Sequence, residues 1–132
     1  MNKTILITAS LLGVISIILG AFGAHALKEL IPYEAQQTFE TGVRYQMYHA
    51  LLLLFVGSTT CINSKTKKIM YYLVVVGLLL FSGSIYGLAT NTLTHFNFKA
   101  IGFVTPIGGL CLILAWCFMF ISFLKISSKK AN

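Results

Sequence analysis

The chain has 132 residues, 57% of them hydrophobic and only 10% charged, and its ten Lys+Arg against three acids set a formal net charge of +7. A soluble domain carries about 25% charged residues. This composition, with a mean hydropathy of +0.84, therefore excludes a soluble enzyme, a disordered chain and a coiled coil. The length suits a single membrane domain covering 1–132.

The first uncharged run lies between Lys3 and Lys28. A helix needs roughly 20 apolar residues to cross about 30 Å of hydrocarbon, so 4–27 is read as a span. Ala24-His25-Ala26 resembles a signal cleavage site, but Ile5–Phe22 is longer than the usual apolar signal region of about 7–15 residues. The segment is read as retained.

The second span is expected over 45–64, between Arg44 and Lys65, with its helix starting earlier, at Pro32. Phe39, Val43, Met47 and Ala50 form an apolar stripe at helical spacing. Thr38, Thr41, Arg44, Tyr45, Tyr48 and His49 occupy the opposite band. The third span is expected over 69–88 and the fourth over 101–124. The fold class is thus all-α, an integral membrane bundle of four transmembrane helices.

Charge sets the expected orientation. Lys3, Lys65, Lys67, Lys68, Lys125, Lys129 and Lys130 fall at one end with no acid, whereas Lys28, Arg44 and Lys99 share the other with Glu29, Glu34 and Glu40. The positive-inside rule puts both termini in the cytoplasm. The lysines sit between apolar runs as membrane anchors do, so no nucleic-acid partner is expected. Cys61, Cys111 and Cys117 form no CxxC and have no His at ligand spacing, so no metal or disulfide framework is expected.

At about 1.5 Å per residue, His25 stands about 33 Å above Lys3, Arg44 about 31 Å and His49 about 24 Å above Lys65, and Tyr86 about 27 Å above Lys68. Thr105 closely follows Lys99. His25, Glu40, Arg44, His49, Tyr86 and Thr105 are therefore expected in the outer third. Each has a plain reading and a functional one. Arg44 either pairs with Glu40 on the surface or binds an anion in a cavity, oriented by Tyr48. His49 either makes an interhelical hydrogen bond or titrates in a site. His25 suits the end of a helix, and with His49 it raises bis-His haem ligation, without a CxxCH attachment motif.

Gly20 with Ala24, and Gly83 with Gly87, have the small-residue spacing of close helix packing, and Gly83 with Ser82 and Ser84 is expected against another helix. At Thr105-Pro106, either Pro106 kinks a helix begun near Ala100, or Thr105 caps a helix whose first residue is Pro106. The second alternative would aim the N–H groups of Ile107, Gly108 and Gly109 outward as an anion site. No nucleophile elbow, phosphate loop or paired-carboxylate pattern occurs, so neither an enzyme nor a cofactor is expected.

Four stretches resemble one family: Gly20-Ala21-Phe22-Gly23-Ala24-His25-Ala26-Leu27, Tyr45-Gln46-Met47-Tyr48-His49-Ala50-Leu51, Phe81-Ser82-Gly83-Ser84-Ile85-Tyr86 and Thr105-Pro106-Ile107-Gly108-Gly109. They are similar to the family called domain of unknown function 423. The resemblance implies a multi-pass protein of the plasma (inner) membrane with four spans, and it carries no catalytic residues. The functional expectation is a non-enzymatic binding or transport module in the lipid bilayer. Its outward-facing pocket for a small anionic or polar ligand would draw on Arg44, His49, His25, Tyr48, Tyr86, Thr105 and Gly108. With four short spans, such a transporter is expected to form a homo-oligomer; the alternative is an interaction subunit that docks on a larger membrane complex through its Gly/Ser faces.

Overall fold

The structure, a computed structural model, describes residues 1–95 and 97–130, with the side chains at 98 and 127–130 outside the described set. Lys129 and Lys130, assigned above to the basic end, have side chains outside that set. Four long helices form, with no strand among the described residues: α1 Asn2–Ala24, α2 Tyr33–Ser58, α3 Ser64–Ala89 and α4 Val104–Lys130. Of these, α1, α3 and α4 are long and apolar enough to cross a membrane. The helix α2 is as long, but its first two turns and several later positions are polar.

Local chemistry explains the boundaries. Pro32, with φ −62° and ψ 157°, stands immediately before α2, where a missing N–H costs nothing. The Asn63 Oδ1 accepts the Thr66 N–H at 2.9 Å and caps α3. Thr59 is extended, so α2 stops at Ser58 and 59–63 forms a loop that includes Thr59, Thr60 and Asn63. The uncharged run 45–64 thus contains the end of one helix and a connection, while the helix itself reaches back to Tyr33.

This loop changes the height of His49. It lies nine residues before Ser58, about 14 Å from the C-terminal end of α2, and it bonds to Trp116, near the middle of α4. His49 is therefore at mid-bundle and not in the outer third. Counting from Lys65 converted loop residues into helical rise.

The Thr105-Pro106 region also differs from both alternatives. A 3-10 turn at Phe98–Ile101 precedes α4, which begins at Val104. Thr105 is then the second helical residue rather than the cap, and Pro106 falls in the first turn, where it is tolerated. The N–H groups of Gly108 and Gly109 fall beyond the first four residues of α4, inside the helical ladder, so they are not free to hold an anion.

Successive helices pack antiparallel, with α3 against both α2 and α4. Glycines mark the crossings. Gly57 faces Leu6, Gly23 faces Phe39, Gly42 faces Tyr86 and Gly77 faces Leu112. At Gly108 the contact is with backbone: a Cβ there would stand 2.7 Å from Gly77 O and closer still to Phe81 N. Gly83, by contrast, is exposed and meets nothing nearer than 3.9 Å, so it is Ser82 and Ser84 that touch other helices, and Gly83 that does not.

The main core lies in the half toward the basic end, called the inner half for its charge alone, and joins all four helices through Ile5, Leu53, Val56, Met70, Val74 and Ala115. A smaller cluster of Leu27, Ile31, Phe39 and Ala89 closes the outer end.

Candidate functional site

The polar residues of α2 divide between two faces. His49, 5% exposed, faces α4. The Trp116 indole donates from Nε1 to His49 Nε2 at 3.1 Å, and His49 Nδ1 lies 2.6 Å from Tyr45 O. An indole N–H can only donate, so Nε2 is the acceptor and the proton sits on Nδ1, donated to the carbonyl. Both ring nitrogens of the neutral imidazole are thus engaged. Haem ligation by His49 would require Trp116 to give way.

Gln46 is the second inward group. Its Nε2 donates to Leu12 O on α1 at 3.0 Å, and its Oε1 accepts from the Tyr86 hydroxyl on α3 at 2.6 Å. One amide thereby ties three helices. Ser82 donates to Gly42 O at 2.8 Å, Gln36 to Gly23 O at 3.3 Å, and the hydroxyls of Ser84 and Thr105 meet at 2.5 Å. Among the described residues, no buried side-chain nitrogen or oxygen lacks a partner. A buried polar group with no partner would cost several kcal/mol, so these pairs are the condition for placing such side chains at this depth.

Arg44 occupies the other face. Its guanidinium meets Glu40 Oε2 at 3.2 Å across one helical turn, with the two side chains 58% and 40% exposed. Tyr48 is exposed, its ring 5.8 Å from that of Tyr45, and Tyr45 stacks on Phe81 at 4.9 Å. His25 ends α1 and turns Nδ1 back to Ala21 O at 2.9 Å.

The seven sequence candidates therefore do not converge. Tyr86, Thr105 and His49 join different interhelical pairs, Arg44 and Tyr48 face outward, His25 bonds its own helix, and Gly108 is a packing position. Gln46, Trp116 and Gln36 were not among the candidates. Gln46 had a readable signal: it lies one turn past Gly42 and two past Phe39, in line with the face that packs on other helices.

What remains open is a groove between α2 and α4, floored by α3, of about 710 Å3. Tyr45, Tyr48, His49, Phe81, Ile113 and Trp116 line it. The walls are aromatic and aliphatic, and the polar atoms of His49 are turned to Trp116 and to backbone. The groove can receive an apolar body, and it offers a small ion no unpaired charge. No group of three or more His, Cys, Asp or Glu capable of holding a metal occurs among the described residues.

The family described as "Protein of unknown function (DUF423)" matches residues 19–109. The chain is 35% identical to UPF0382 membrane protein YwdK of Bacillus subtilis (strain 168), over 93% of this chain and 98% of the relative. It is 35% identical to UPF0382 membrane protein SH2409 of Staphylococcus haemolyticus, over 93% and 97%. It is 33% identical to UPF0382 inner membrane protein YgdD of Escherichia coli (strain K12), over 97% and 95%. No solved structure matches the chain. The chain belongs to the DUF423 family, and with three helices able to cross a bilayer it is a multi-pass membrane protein.

Proposed function

We propose that this DUF423 family member is a non-enzymatic interaction module of the inner membrane, which receives a transmembrane helix in the groove between α2 and α4. The carrying observation is that, among the described residues, the buried polar side chains are paired within the chain, while the open volume is walled by aromatic and aliphatic side chains, with Tyr48, Ile113 and Trp116 exposed. Transport of a polar solute would need a polar path. The groove supplies surface for packing, which is what associates helices in lipid.

The proposal takes α2 as a fourth crossing, with both termini cytoplasmic. In its support, α2 runs antiparallel beside α1 from Phe39 at Gly23 to Gly57 at Leu6, so the two helices share their ends. The seven lysines at one end favour the orientation.

A photoreactive residue at Ile113, in the groove, should give a discrete protein adduct in native membranes. The same group at Leu11, 57% exposed on α1, should give lipid adducts alone. The adduct mass distinguishes a second copy from a different protein. Identical lipid labelling at both positions would sink the proposal.

A second reading, a site for a small anionic or polar ligand around Arg44, rests on the exposure of its guanidinium and on Tyr48 one turn away. Loss of binding of an identified anion in Arg44→Ala would favour it over the groove.

A further inference from the structure

A second cavity lies at the basic end of the bundle, away from the α2/α4 groove. It occupies about 660 Å3 between the loop after α2, the first turn of α3 and the last turns of α4. Its upper lining is Thr60, Asn63, Thr66 and Lys125, and its lower lining includes Phe118 and Ile121. Hydroxyls, an amide and an ammonium thus sit above an apolar wall that continues along the membrane-facing side of α4, where Ile121 is exposed.

The loop that forms one wall is held in place. The Lys67 ammonium, 4% exposed, donates to Thr59 O at 2.5 Å and to Asn2 Oδ1 at 3.2 Å. That lysine is spent on the structure. Lys125 is exposed and makes no ion pair among the described residues, whose one pair is Arg44–Glu40. Lys65 and Lys68 are exposed in the first turns of α3, at the same end of the bundle. All three acids, Glu29, Glu34 and Glu40, precede the middle of α2 and lie toward the opposite end of the bundle. The cavity is therefore positive without internal compensation.

We propose that this cavity binds the headgroup of an anionic phospholipid, its phosphate on Lys125 and the hydroxyls of Thr60 and Thr66, its acyl chain along Phe118 and Ile121. Charge complementarity selects the anion, and basic pockets beside membrane helices hold such headgroups. The apolar wall selects a lipid over a free phosphate, because a soluble anion leaves that wall unused. The site is independent of the groove between α2 and α4, so each can fail without the other.

Native mass spectrometry of the full detergent-solubilised chain tests this with dioleoyl phosphatidylglycerol, dioleoyl phosphatidylcholine and glycerol phosphate. Phosphatidylglycerol is expected to bind in preference to phosphatidylcholine of the same acyl chains. Lys125→Gln should weaken it about fivefold, Lys125→Arg should keep it, and Lys28→Gln, at the far end, should leave it unchanged. Equal binding of the two lipids would overturn the proposal, as would an equal loss in Lys28→Gln. Displacement of the lipid by glycerol phosphate at matching concentration would overturn the lipid source and leave a phosphate site only.

Discussion

The inner and outer halves of this bundle are held together by different means. In the inner half, Ile5, Leu53, Val56, Met70, Val74 and Ala115 form an apolar core, Gly57 and Gly77 let Leu6 and Leu112 approach, and the bonds of Thr8 to Tyr71 and of Lys67 to Asn2 lie at its margin. From mid-bundle outward, Gln46, Ser82, Ser84 and Gln36 bond across helices. Lipid tails are as apolar as leucine, so burial alone does not bring helices together in a bilayer. Apolar packing fills the centre of the inner half, with directional bonds at its margin, whereas in the outer half directional bonds run through the middle of the helix contacts.

Substitutions that strike one mechanism at a time test this contrast. Gly108→Val should have the largest effect, because the added atoms meet the backbone of α3 at Gly77 and Phe81 and no side chain can yield. Overpacking costs about 1–3 kcal/mol where neighbours can shift, and a backbone collision should exceed that. Unfolding in mixed micelles should show the variant largely unfolded. A variant as stable as the parent would mean that α3 and α4 do not cross as closely as described.

Gln46→Leu comes next. It strands the Tyr86 hydroxyl and removes the tie to Leu12 O, for an expected loss of about 1–2 kcal/mol. The cycle with Tyr86→Phe should give a coupling of about 0.6–1.7 kcal/mol, and additive effects would break the claim that the outer half depends on this bond. Trp116→Phe keeps the ring in the groove and deletes the donor to His49 Nε2. It should cost about 0.6 kcal/mol and release Nε2 while Nδ1 keeps its bond to Tyr45 O, which can be read as a change in the Nε2 resonance.

Arg44→Ala should have the smallest effect. The pair with Glu40 is exposed and intrahelical, worth about 0.3–0.5 kcal/mol at most. A loss matching that of Gln46→Leu would place Arg44 in the architecture and sharpen the case for a site around it.

Much of this was legible in the residues. Charges at Lys3, Lys28, Arg44, Lys65, Lys68, Lys99 and Lys125 bracket the uncharged runs, and the first, third and fourth hold helices able to cross a membrane, the form that satisfies the backbone in lipid. The start of α2 after Pro32 was equally readable. The candidate site was less so, because depth was counted along the chain. The non-helical residues 59–63 shifted His49 to mid-bundle, and partners such as Trp116 lie on a helix whose height relative to α2 no local pattern encodes.

Composition, charge and the length of the apolar runs thus determine by themselves an all-helical, multi-pass membrane chain. Which face of each helix meets protein and which meets lipid was decided only in the tertiary structure. Leucine and isoleucine suit both surroundings equally, so hydropathy cannot separate them. The distinction rests on a few small or polar residues, Gly42, Gln46, Ser82 and Gly108, whose role appears only when the partner helix stands opposite.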